Sequence, residues 1–422
     1  MKILHCADLH FNNSTLLPEI VKCADFMAKA AVTHRPDLVA VAGDVFDEKI
    51  PLGSKAVVEA ISLVSRLGDT APVVIVKGTY SHDHDSLHVF GKLKTRFPVY
   101  VSEKVEQVAL TPDGFYPLGS LPDNLSVTAV ISCLPSVSKA GLMPSAGAVD
   151  ADIHAVNMEA AELLRDVFAG WGLVNADARR RGIPAVIVGH GSLMGSTTST
   201  GQQMSGRDLE FGSGDLSLAK ADAVCLGHIH KAQFQKNIFY SGSITRLNFG
   251  EEEDKGFYFH EIEDGKLASS FIKTPARRLI TLDISSMSDL GNMQDDLMEA
   301  HVRIRYAIGE ENLHRMDDER IRKLLADRGA AEVVIRKTVV PANRVRAAGI
   351  SQAKSLDEKI RRWAEAAGVT LPDGVFAKAV LLARDTEEIL SMAGGPDKES
   401  QVFENRPPIK ESEEACDLFM QN

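Results

Sequence analysis

Short apolar runs alternate with amphipathic stretches through the first 275 residues, and that alternation predicts an α/β domain. Six runs have the length and composition of strands: residues 2–7, 37–42, 73–76, 127–133, 185–188 and 223–226. Between the first two, residues 18–34 place Ile20, Ala24, Met27 and Ala31 on one helical face. Further helical patterns cover 54–67 and about 157–180, the latter strongly polar on its far side. Residues 191–214, rich in Gly, Ser and Thr, read as a long loop, and long loops in compact domains tend to be functional.

The pattern changes at Arg277. Strand-like runs at 279–284, 302–308 and 332–340, with helices at 289–300 and 317–328, predict a small β-α-β-α-β module over residues 276–345. In its middle strand Val302, Ile304, Tyr306 and Ile308 alternate with Arg303, Arg305 and Ala307, giving one buried and one basic face. A segment carrying Arg344, Arg346, Lys354, Lys359, Arg361 and Arg362 then enters a helix with Leu356, Ile360, Trp363 and Ala367 on one stripe. A second helix is expected over 375–392, so residues 346–393 read as a helical hairpin. Residues 394–422 have few large apolar side chains and read as a disordered tail.

At 422 residues the chain exceeds one ordinary core, consistent with this division. No apolar run has the length of a membrane span, and the N-terminus enters a strand without a signal-peptide layout. Cys6, Cys23, Cys133, Cys225 and Cys416 are scattered, with no C-x-x-C pair. That argues for reduced thiols and a cytoplasmic setting, and against both a disulfide frame and a zinc–thiolate site. The net charge of −11 counts against non-specific attraction to nucleic acid. It does not locate patches, and carboxylates that hold cations contribute to it.

Acids and histidines stand where the apolar runs stop. The first run ends in Asp8-Leu9-His10, the second in Gly43-Asp44, and the third in Gly78-Thr79-Tyr80-Ser81-His82-Asp83. The fifth ends in Gly189-His190 and the sixth in Gly227-His228-Ile229-His230. Singly each is as well explained by a turn or a cap. Jointly they place hard-oxygen and imidazole donors at the carboxyl edge of a sheet, where ligands bind in open α/β folds. Carboxylate and imidazole without thiolate suit Mn²⁺, Fe²⁺ or Zn²⁺. The donors exceed the needs of one ion, which implies two ions about 3.5–4 Å apart, able to activate water and clamp phosphate oxygens.

These motifs resemble the calcineurin-like metallophosphoesterase superfamily, and within it the SbcD-type DNA repair exonuclease subunits. The likeness is carried by residues 1–10, by Leu226-Gly227-His228-Ile229-His230, and by Tyr240-Ser241-Gly242-Ser243 followed by Gly250-Glu251-Glu252. The resemblance implies a metallophosphoesterase β-sandwich flanked by helices over residues 1–275, with the small module as a DNA-capping domain. It implies that Asp8, His10, Asp44 and His230 hold one ion, and that Asp44, His190 and His228 hold the other, Asp44 bridging. His82 matches the catalytic histidine, and Asp83 would orient its ring. It further implies Mn²⁺ as the usual metal, DNA ends as substrate, a homodimer, and a terminal helical element that grips an SbcC-like SMC-type ATPase.

One departure matters. The family block is Gly-Asn-His-Asp; here it is two residues longer and Ser81 stands where Asn would be. Ser81, Thr79 or water would have to replace the amide oxygen, which predicts a looser second site needing more Mn²⁺. His84-Asp85 offers the same pair in a shifted register. Two other readings stay open: a metallophosphatase acting on a phosphate other than DNA, and a nuclease-impaired scaffold bridging DNA and a partner.

Overall fold

In the computed structural model, residues 1–83, 85–136, 153–198, 210–291, 296–341, 350–372 and 374–382 are described. They fall into two compact units, Met1–Ile308 with Asn312–Val339, and Gly309–Glu311 with the chain from Val340 onward.

Strands β1 (Lys2–Cys6), β2 (Leu38–Val41), β3 (Val73–Val76) and β4 (Val99–Ser102) run parallel, side by side in that order. The second sheet takes β5 (Glu106–Thr111), β6 (Gly114–Pro117), β7 (Ala129–Leu134) and β8 (Ala185–His190). A two-residue parallel pair, β9 (Ser192–Leu193) with β10 (Glu210–Phe211), interrupts the expected long loop, of which residues 199–209 lie outside the described residues. Three more strands, β11 (Ala223–Gly227), β12 (Gln233–Gln235) and β13 (Ile238–Tyr240), complete the second sheet in the order β12-β13-β11-β8-β7-β5-β6. The chain then returns to the first sheet, where β14 (Gly256–Glu263) pairs antiparallel with β1 and β15 (Lys266–Lys273) with β14.

The two sheets stack because both present β-branched and small residues inward. Ile3, Leu38, Ala40, Val74 and Val76 of the first meet Val108, Ile131, Val186, Val188 and Cys225 of the second. Helices α1 (Leu17–His34) and α2 (Lys55–Gly68) cover the outer face of the first sheet, with Ile20, Met27, Val57 and Leu63 against Leu4, Val39 and Ile75. Ser54 caps α2 by accepting from the Val57 amide. On the opposite side α3 (Ile153–Arg180) sets Leu164, Phe168 and Trp171 against Ile187, Val224 and Leu226, beside the one-turn α4 (Ser213–Ser217). The result is the expected helix-flanked sandwich.

The small sheet β16 (Leu279–Asp283), β17 (His301–Gly309), β18 (Glu332–Val340) carries α5 (Met287–Gly291) and α6 (Asp318–Asp327). Its first helix is shorter than expected: residues 296–300 are non-helical, with Asp296 accepting from Arg278 and from the Met298 amide. The expected basic face is only partly paired with acids. Arg305 makes a paired hydrogen bond to Asp283 at 2.7 Å, Lys337 meets Asp318 at 2.8 Å, and Arg303 lies over the Phe249 ring at 4.8 Å.

The second unit contains α7 (Leu356–Ala367), capped by Ser355 and closed by left-handed Gly368, and α8 (Val375–Leu382). Arg361 lies over Phe376 at 4.1 Å, and Trp363 is 43% exposed. The rest of the expected second helix and the tail fall outside the described residues. No helix among the described residues is long and apolar enough to cross a membrane.

Candidate metal centre

The carboxyl ends of β1, β2 and β3 in one sheet meet those of β8 and β11 in the other, and the loops leaving them are zipped together. Asp8, Leu9 and His10 donate backbone N–H groups to the carbonyls of Gly43 and Asp44 at 2.8–3.1 Å. Asp8, His10, Asp44 and His228 all have positive φ, at 51°, 48°, 50° and 101°. For non-glycine residues that conformation costs of order 1–3 kcal/mol each, and such strain clusters at functional sites. Glycine is required at two close approaches. A side chain at Gly78 would collide with the Asp44 carboxylate, and one at Gly227 with the Ala42 carbonyl, where the two sheets meet.

This convergence gathers the expected residues into two groups, Asp8 with His10 and His230, and Asp44 with His190 and His228, each with ligand atoms within 4.8 Å of one another. Hydrogen bonds outside each group fix the imidazole tautomers. His10 Nδ1–H donates to Asp47 at 3.0 Å, His230 Nδ1–H to Glu251 at 3.1 Å, and His190 Nδ1–H to the Ala42 carbonyl at 2.8 Å. The Nε2 lone pairs of His10 and His230 then face each other at 3.0 Å, and that of His190 faces Asp44 at 3.3 Å. Lone pairs at that range repel unless a cation or proton lies between them. The donor set therefore fits divalent metal ions.

The charges of these side chains agree. Burial opposes ionisation of Asp44, but His190 and His82 outweigh it and hold the carboxyl well below the usual range. Burial likewise works against a charge on His190, yet the Asp44 carboxylate lifts it to about 9. His228, buried and beside His190, is pushed down to about 4. An entering ion must displace the proton His190 holds below about 9. Affinity at this group should fall about tenfold per unit as pH drops from 8 to 6, with one proton released per ion. Calorimetry in buffers of different ionisation enthalpy reads both; a pH-independent affinity would remove His190 from the ligands.

Two expectations are corrected. Asp83 does not orient the His82 ring: fully buried, it accepts from the amides of Phe46 at 3.1 Å and Gly78 at 2.9 Å, and burial lifts its carboxyl to about 7. It pins the β3 loop instead. The His82 Nδ1 is taken by Asp44 at 2.8 Å, an interaction that raises its pKa. Ser81 is exposed and away from the group; of the two hydroxyls expected as substitutes it is Thr79 that lies there, its amide on Asp44 at 2.6 Å and its hydroxyl 3.3 Å from His190 Nε2. The two additional residues are thus Tyr80 and Ser81, between Thr79 and His82. His84 lies outside the described residues.

Asp47 and Glu251 went unassigned from sequence. Asp47 sits three residues past Asp44 with no marker of its own, whereas Glu251 lies within a motif already noted. A further metal-like grouping, His5, Cys225 and His260, lies inside the sandwich. Its ring nitrogens are engaged: His5 Nε2–H donates to Leu226 O at 3.0 Å, His260 Nε2–H to His5 Nδ1 at 3.3 Å, and the Ser269 hydroxyl to His260 Nδ1 at 2.8 Å. That chain satisfies a polar seam in the core.

Residues 1–232 match the family model described as calcineurin-like phosphoesterase. The chain belongs to that family. It is a metallophosphoesterase, and its donor set is that of an enzyme using divalent metal ions. It is 26% identical over 287 residues to the SbcD component of the nuclease SbcCD from Escherichia coli, covering 64% of this chain and 67% of that one. The corresponding Staphylococcus saprophyticus protein is 25% identical over 323 residues, 71% and 74% of the two chains. A shorter stretch of 93 residues, 20% of this chain and 22% of the other, is 36% identical to the DNA double-strand break repair protein Mre11 of Aeropyrum pernix.

Proposed function

We propose that this phosphoesterase is a two-metal DNA nuclease that uses Mn²⁺ to hydrolyse phosphodiester bonds at DNA ends, as the partner of an SMC-type ATPase. The observation that carries the reading is the pair of donor groups side by side, with the tautomers of His10, His230 and His190 set to leave Nε2 inward. Asp8, His10 and His230 would hold one ion and His190 and His228 the other, with Asp44 available to both. Bound ions supply Lewis-acid stabilisation of the phosphoryl oxygens and lower the pKa of water. His82, with 31% of its side chain exposed and its Nδ1 on Asp44, an interaction that raises its pKa, is the group that delivers a proton to the leaving oxygen. The relatives named as nuclease and break-repair proteins support DNA as the substrate.

The amphipathic α7, with half-exposed Trp363 and its arginines, suits a partner groove, and α7 with α8 is assigned to the ATPase. Capture of the ATPase by the full chain, and not by a chain ending at 344, is the expected result. Hydrolysis of both bis-p-nitrophenyl phosphate and an end-labelled duplex tests the activity. Cleavage of the small ester with no action on DNA would favour the phosphatase reading.

Thr79 offers the second ion a poorer neutral ligand than an amide oxygen. Thr79→Asn is expected to lower the Mn²⁺ concentration for half-maximal activity roughly tenfold, by analogy with other changes around metal ligands. Saturation of the unaltered chain at trace Mn²⁺ would contradict this.

A further inference from the structure

Both halves of the 240–255 motif converge on one ligand. Gly242, at φ 70°, lies so close to the His230 carbonyl that a Cβ there would collide with it, and the Ser243 amide donates to that carbonyl at 3.2 Å. Lys255, whose ammonium side chain is fully buried, donates to the same carbonyl at 2.9 Å and meets Glu251 at 2.8 Å and Glu253 at 2.7 Å. Glu251, 1% exposed, takes the His230 ring with one oxygen and the Leu247 amide with the other. Asn248 adds a bond to the first of these at 2.9 Å.

We infer that Lys255 is a positioning residue for the metal centre: through Glu251 it sets the ring of His230, and directly it sets the backbone that carries it. A buried ammonium is costly, and exchanging a whole buried ion pair for neutral groups of similar volume is often tolerated, whereas removing one partner leaves the other charge uncompensated. Here its removal leaves Glu251 buried without its strongest partner. Without Lys255 the carboxylate loses the 2.8 Å contact that fixes its position, and its hold on the His230 ring loosens. His10 is held separately by Asp47, and His190 by Ala42, so the effect falls on one ion.

The inference rests on the two-ion reading and is tested apart from it by titrating chelator-treated protein with Mn²⁺ in a calorimeter. His10→Ala and His190→Ala assign the two binding steps. In Lys255→Met the step lost in His10→Ala is expected to weaken roughly 10–100-fold, the range seen for partners of ligand side chains, with the other step changed less than about twofold. The double variant Lys255→Met with Glu251→Gln, which removes both buried charges, should regain the thermal stability of the metal-free protein while the first step stays weak. Unchanged binding in Lys255→Met overturns the inference. So does equal weakening of both steps that the double variant repairs, since that is a fold defect alone. If the unaltered chain binds no Mn²⁺, the metal reading itself fails.

Discussion

Asp44→Asn is expected to lower phosphodiester hydrolysis by on the order of 10³-fold or more at saturating Mn²⁺, with the fold retained. Three observations set the size of the loss. Asp44 is 2% exposed, it lies against both His190 and His82, and its backbone sits in a strained turn that only the surrounding loops hold in place. The amide keeps the shape and the hydrogen bond from Thr79, but removes the negative charge shared between the two donor groups. The loss should therefore show as fewer ions bound and as a lower rate together. Steady-state kinetics with parallel metal analysis reads both, and a variant retaining two ions and a rate within tenfold of the original would exclude Asp44 as a bridge.

His82→Gln separates chemistry from metal binding. If this ring delivers the proton to the leaving oxygen, kcat should fall roughly 10²–10⁴-fold, with KM and metal content little altered. The upward shift on His82 comes first from its hydrogen bond to Asp44, which favours the protonated ring. His84→Ala, the same pair in the shifted register, should leave the rate near that of the unaltered chain. A loss on His84→Ala with none on His82→Gln would move the role two residues along.

What the sequence discloses about this molecule depends on how local each signal is. The parallel strands β1, β2, β3, β8 and β11 are continuous apolar runs because both their faces are buried, and each carries its donors at the next few positions. Fold and ligands could be read together from that. The strands β5 and β15 are harder to read for the converse reason. In β15 exposed and half-buried positions are mixed, and β5 begins with the polar pair Glu106-Gln107. The turn between β14 and β15, Asp264-Gly265 with φ of 48° and 72°, was a hairpin signal that went unused. Ring orientation is not local at all. Which nitrogen of His10, His190 or His230 faces inward is decided by Asp47, Ala42 and Glu251, from 21 to 148 positions away. The identity of the hydroxyl beside Asp44 was equally invisible, since spacing alone could not say where the two additional residues loop out.

Anomalous diffraction from crystals soaked in Mn²⁺ counts the ions and names their ligands in one measurement. The account predicts two peaks about 3.5–4 Å apart, one enclosed by Asp8, His10 and His230, the other by His190 and His228, with Asp44 touching both. A single peak, or peaks away from Asp44, would contradict it.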